Sequence, residues 1–105
     1  MKKHTNERNL SGIGGRLRLT REAFGLGQNE FARQAGIATN TYNQYEQGKR
    51  LPRYDLANQI CDEFGVTLDW IFRGDASGLP VHIANLIRAL EKASQADASQ
   101  REVVD

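Results

Sequence analysis

The chain has 105 residues, 39% hydrophobic and 26% charged, which allows one globular domain with a small core. No apolar run approaches the ~20 residues of a membrane span, and the start MKKHTNERNL lacks a signal peptide's apolar stretch, so a cytoplasmic protein without a membrane partner is expected. The net charge of +1 hides a split, because residues 1–54 hold ten Lys or Arg against four acidic residues and residues 55–105 hold four against nine. The first half can face a polyanion and the second cannot.

Taken in chain order, residues 1–10 are polar and basic and read as a disordered arm. Ser11 is a candidate N-cap for a helix with Ile13, Leu17, Thr20 and Phe24 on one face, ended by Gly25 and Gly27. Gly12, Gly14 and Gly15 do not make a phosphate loop, since no strand precedes them and no Gly-Lys-Ser or Gly-Lys-Thr comes after; they read as a loose helix start. Gln28 opens a second helix, with Phe31, Ala32 and Ala35 on one stripe. Ala32 is small where another helix would cross, and Gly36 stands where the chain turns left-handed at the helix end.

A third helix is expected from Ala38 to Gln47, with Tyr42 and Tyr45 inward and Thr39, Asn40, Asn43, Gln44 and Gln47 outward. A merely solvated helix face favours Glu, Lys and Arg. Uncharged amides and hydroxyls both donate and accept, which matches the mixed donors and acceptors on base-pair edges in the major groove. Lys49, Arg50 and Arg53 then make a basic connector, and Pro52 marks entry to a fourth helix with Leu56, Ile60, Cys61 and Phe64 inward and Gly65 at its end. Thr67 caps a short fifth helix in which Leu68, Ile71 and Phe72 pack.

Residues 75–80 read as a linker, so that a domain over residues 11–74 is complete without the C-terminal segment. Over residues 81–93 Ile83, Leu86, Ile87 and Leu90 recur with helical spacing. That stripe either folds back on its own domain or meets its copy in a second subunit. Residues 94–105 read as a flexible tail. With no alternating segment and no repeat, the expected fold is all-α.

The stretch QNEFARQAGIATNTYNQYEQGKRLP resembles the helix-turn-helix of the phage-repressor family, the Cro/lambda-repressor-like, xenobiotic-response-element class of DNA-binding domains. The likeness runs from Ile13 to Gly74, because GVTLDWIFRGD is similar to the closing helix of those domains. The resemblance implies a five-helix domain to which the last amphipathic helix is added. It assigns base contacts to Thr39, Asn40 and Gln44, with Asn43 facing the groove or the nearby backbone. It assigns a phosphate contact to Gln28, which also braces the recognition helix, and matches Gln47, Lys49, Arg50 and Arg53 to positions that hold phosphates or approach the minor groove.

Arg21 and Glu46 resemble an internal ion pair tying the first helix to the end of the recognition helix, which would explain a lone carboxylate near a DNA-facing surface. Ala38 departs from the pattern, standing where the family often has a capping Ser or Thr. Thr39 therefore either caps the helix or reads a base.

Other chemistry lacks residues. His4 and His82 lie far apart, no Cys/His/carboxylate cluster has metal spacing, and Cys61 falls on an apolar helix face with no activating neighbour. No nucleophile, base and oxyanion donor can be assembled, so no catalytic residue, cofactor or metal is expected. The sequence points to a transcriptional regulator, a repressor that binds double-stranded DNA as a homodimer on a pseudo-palindrome. The alternative is an antitoxin-like protein-interaction module whose C-terminal helix holds a protein partner and whose DNA binding is secondary.

Overall fold

The computed structural model describes the backbone of residues 5–104 and the side chains of residues 12–94. Six helices succeed one another, with no strand among the described residues: α1 (Thr5–Ala23), α2 (Gln28–Ala35), α3 (Thr39–Glu46), α4 (Tyr54–Phe64), a π-helical turn α5 (Asp69–Arg73) and α6 (Val81–Val104). The fold is all-α. α1 lies at its centre, against α3, α5 and α6, while α2 packs on α3 and α4.

The core is built on helical spacing. Leu17 of α1, Phe31 and Ala32 of α2, Tyr42 of α3 and Ile60 of α4 are fully buried where these helices meet. Aromatic rings pack against one another in this core: Phe31 stacks on Phe64 at 4.1 Å between centroids, and Tyr42 tilts against Phe31 at 5.2 Å. α5 is fastened to α1 by polar bonds inside this core. The Trp70 indole donates to Thr20 Oγ1 (2.9 Å), whose hydroxyl donates to the Arg16 carbonyl (2.7 Å), and Arg16 Nε donates to the Ile71 carbonyl (3.0 Å). The Thr67 hydroxyl accepts the Trp70 amide at 3.0 Å, as an N-capping side chain does.

Three expectations about the ends of the chain are corrected. α1 opens at Thr5, so Ser11 lies inside the helix instead of capping it, and residues 5–10 of the expected arm are helical; residues 1–4 lie outside the described residues. Polarity argues against burial, not against helix, and residues 5–10 contain neither Gly nor Pro. The last helix likewise runs to Val104 through the stretch expected to be a tail.

Residues beyond 74 also join the core. Leu79, Ile83 and Ile87 are 7%, 4% and 3% exposed and belong to the same core cluster as Leu17 and Trp70, so α6 folds back on α1. The stripe expected as a dimerisation candidate divides accordingly. Ile83 and Ile87, four residues apart, face inward; Leu90 is half-buried and Leu86 is 46% exposed.

Candidate nucleic-acid interface

The turn between α2 and α3 is made by Gly36, which takes φ 75° and ψ 33°, a left-handed conformation that penalises a Cβ. Its amide donates to the Arg33 carbonyl (3.1 Å) and that of Ile37 to the Ala32 carbonyl (2.9 Å), closing α2 in a Schellman arrangement. Ile37 then drops into the core, and extended Ala38 hands the chain to α3. No side chain caps α3. Thr39 is its first helical residue, so capping, one of the two roles open to that residue, is not observed.

The inner side of α3 is occupied completely. Tyr42 and Tyr45 are 0% and 1% exposed, and Glu46, whose side chain is 5% exposed, gathers three partners. Arg21 donates to both carboxylate oxygens (Nε at 2.7 Å, Nη2 at 3.2 Å), Gln28 Nε2 donates to Oε1 at 3.0 Å, and the Tyr42 hydroxyl donates to Oε2. Arg21 also reaches the Leu26 carbonyl at 3.0 Å, and so holds the α1–α2 turn in the same network.

Burial alone would raise the Glu46 carboxyl, but the hydrogen bonds from Arg21, Tyr42 and Gln28, with the charge of Arg21, outweigh it and hold the group below its ordinary 4.5. The bonded carboxylate in turn raises Arg21, against the opposing effect of burial. Tyr42 is pushed well above a phenol's usual value, first by burial and then by its bond to Glu46. The charge of Glu46 is therefore compensated inside the protein.

Gly14 completes the lock. A Cβ on Gly14 would stand 2.3 Å from the Glu46 carbonyl oxygen and 2.8 Å from that of Tyr45, so α1 can touch the end of α3 backbone to backbone only because that position lacks a side chain. The three glycines expected to form a loose helix start lie within α1, and one of them is this contact. A glycine inside a helical pattern was the available signal for such an approach.

The outer side carries the uncharged groups. Asn40 and Gln47 are exposed, and Thr39 and Gln44 are half-buried. Asn43 differs from its expected placement: its Oδ1 is buried with no hydrogen-bond partner among the described residues, so that oxygen does not face outward. After α3 the Lys49 amide donates to the Gln44 carbonyl at 2.9 Å and the chain turns through Gly48 at φ 74°. Lys49, Arg50 and Arg53 are exposed along this turn. Arg50 Nη1 donates to Gln44 Oε1 at 3.3 Å, and Arg53 pairs with Asp55 at 2.8 Å. The side chains of the latter pair are 66% and 56% exposed, and it contributes little to stability.

Gln28 donates to Glu46, so its brace on α3 is visible as a bond, and its side chain is half-buried. Sequence reasoning missed the Tyr42 hydroxyl as a donor to Glu46 and the meeting of Arg50 with Gln44. Elsewhere, burial and the charge of Asp62 push the Cys61 thiol up to about 11, which leaves it protonated and unreactive at neutral pH. Among the described residues no group of three or more His, Cys, Asp or Glu could hold a metal ion, and no helix is long and apolar enough to cross a membrane.

Comparison with known proteins agrees with this geometry. The family model described as a helix-turn-helix domain matches residues 14–77, more than half of the chain. The chain is 31% identical over 87 residues to the antitoxin PezA of Streptococcus pneumoniae serotype 4 (strain ATCC BAA-334 / TIGR4). That match covers 83% of this chain but 55% of the relative, so the chain spans little more than half of the relative's length. No solved structure matches.

Proposed function

This chain belongs to the helix-turn-helix domain family, and on that premise we propose that it is a sequence-specific binder of double-stranded DNA, a transcriptional regulator of the Cro/lambda-repressor-like class. The observation that carries this reading is the division of α3: its inner side is consumed by the core and the Glu46 network, while its outer side presents amides and hydroxyls with a basic turn beside them. In a helix-turn-helix the second helix enters the major groove. Thr39, Asn40 and Gln44 then read base edges, with Asn43 restricted by its inward oxygen, and Gln28, Gln47, Lys49, Arg50 and Arg53 hold the flanking backbone. Acting in the cytoplasm as a homodimer, the protein places two α3 helices about 34–36 Å apart on a pseudo-palindrome and represses by blocking polymerase.

The test is binding-site selection followed by substitution. Gln44→Ala relaxes choice at particular base pairs, each good bidentate contact being worth about 1–3 kcal/mol, whereas Lys49→Ala weakens all sequences alike and lowers the salt slope by about one. Equal losses on every duplex from both changes would contradict the reading.

A second reading is favoured by the relative's name. An antitoxin-like protein would use α6 to hold a partner protein, and the surface for it is the outward side where Val81 and Leu86 are 76% and 46% exposed. Removing α6 would not separate the readings, because it would take Ile83 and Ile87 out of the core. Leu86→Asp does separate them. Loss of self-association together with operator affinity supports the dimeric regulator; intact DNA binding with loss of a heterologous partner supports the antitoxin-like module.

A further inference from the structure

The hydrogen bond between Arg50 and Gln44 changes what the outer face of α3 offers. A carboxamide standing alone is ambivalent, with an oxygen that accepts and an NH₂ that donates. Glutamine uses both on adenine, accepting from N6 and donating to N7. Here Gln44 Oε1 already accepts from Arg50 Nη1 at 3.3 Å. The backbone brings the two together: the Lys49 amide on the Gln44 carbonyl and the left-handed Gly48 turn the connector back, so that a residue six positions on lies beside α3. Arg50 is exposed and is not required by the core.

We propose that Gln44 and Arg50 act as one reader in which donors outnumber acceptors and which selects guanine at the base pair it meets. With one lone pair of Oε1 taken by a cation, the amide keeps one acceptor site, while the two Nε2 hydrogens of Gln44 and the remaining guanidinium hydrogens give the pair a surplus of donors. Guanine offers two acceptors, O6 and N7, on its major-groove edge. Adenine would bring its N6 donor against the guanidinium, a donor facing a donor. Arg50 is thereby moved from a backbone contact to a positioning and specificity residue. The proposal rests on the DNA-reading function above and adds to it the identity of one base.

Site selection from random duplexes with the full chain, Gln44→Ala and Arg50→Lys tests it. Lysine keeps the charge but is a point donor without the planar fork. The wild-type motif is expected to carry guanine at the position whose preference Gln44→Ala erases, and Arg50→Lys is expected to lower the guanine-to-adenine ratio there by roughly tenfold. Adenine or a pyrimidine at that position in the wild-type motif would overturn the assignment. So would an Arg50→Lys loss spread evenly over all sequences with the ratio unchanged, which marks a phosphate contact. If the folded wild-type chain enriches no sequence, the DNA-reading function falls and this assignment with it, a result distinct from a motif with the wrong base.

Discussion

On its inner side α3 carries two buried tyrosines and a carboxylate bound by three side chains; on its outer side, within the same eight residues, it carries amides and hydroxyls with few partners in the protein. The two sides obey opposite rules. A buried charge must be compensated where it stands, whereas a reading surface must keep donors and acceptors available for something else. The first side makes the second useful, because a helix locked to α1 and α2 presents its outer groups in one orientation and leaves little to be ordered on binding.

The largest expected effect comes from breaking the inner side. Glu46→Ala leaves the Arg21 guanidinium without its counter-charge and the Tyr42 hydroxyl with only the Leu17 carbonyl at 3.4 Å, and should lower the unfolding free energy in urea by about 3–5 kcal/mol, as removal of one partner from a buried pair does. A loss below about 1 kcal/mol would mean that the network is surface-like. Next come two neighbouring glycines expected to respond with opposite sign. Gly14→Ala drives a Cβ into backbone at the end of α3 and should cost about 1–3 kcal/mol. Gly15→Ala meets nothing within 4 Å and should stabilise the helix by roughly 0.5–1 kcal/mol.

Acid sharpens the same contrast. The folded-state pKa of Glu46 is depressed, so its contribution to stability is fully present above the unfolded value near 4.5 and is lost as pH falls through the lower folded value. Urea titrations between neutral pH and acid should show this fall in the wild type and a shallower one in Glu46→Gln. The smallest stability effect belongs to the outer side, where Asn40→Ala should change the unfolding free energy by no more than about 0.5 kcal/mol.

The helices around the corner were legible because two local signals coincide there, apolar residues at helical spacing and a glycine at the point where the spacing breaks. Phe31, Ala32, Gly36, Tyr42 and Tyr45 are such residues, and they determine the orientation of α3. What α6 does was not legible, since Ile83 and Ile87 form the same stripe whether they cover α1 of their own chain or of another. The start of α1 escapes a sequence reading for a related reason. Ser11 is a good cap residue by type, but the helix already runs through the residues before it. The bond from Arg50 to Gln44 depends on how Gly48 turns the chain, and no spacing rule reports that.

One measurement bears on the central claim most directly: the dissociation constants of the wild-type chain and of an Asn40→Ala, Gln44→Ala double variant for a selected duplex and a scrambled one, at one fixed salt concentration, with the urea midpoint of each protein measured alongside. The wild type should prefer the selected duplex by at least about 10³, and the double variant should lose most of that preference while its urea midpoint stays near that of the wild type. A folded wild-type chain that binds both duplexes equally would contradict the account.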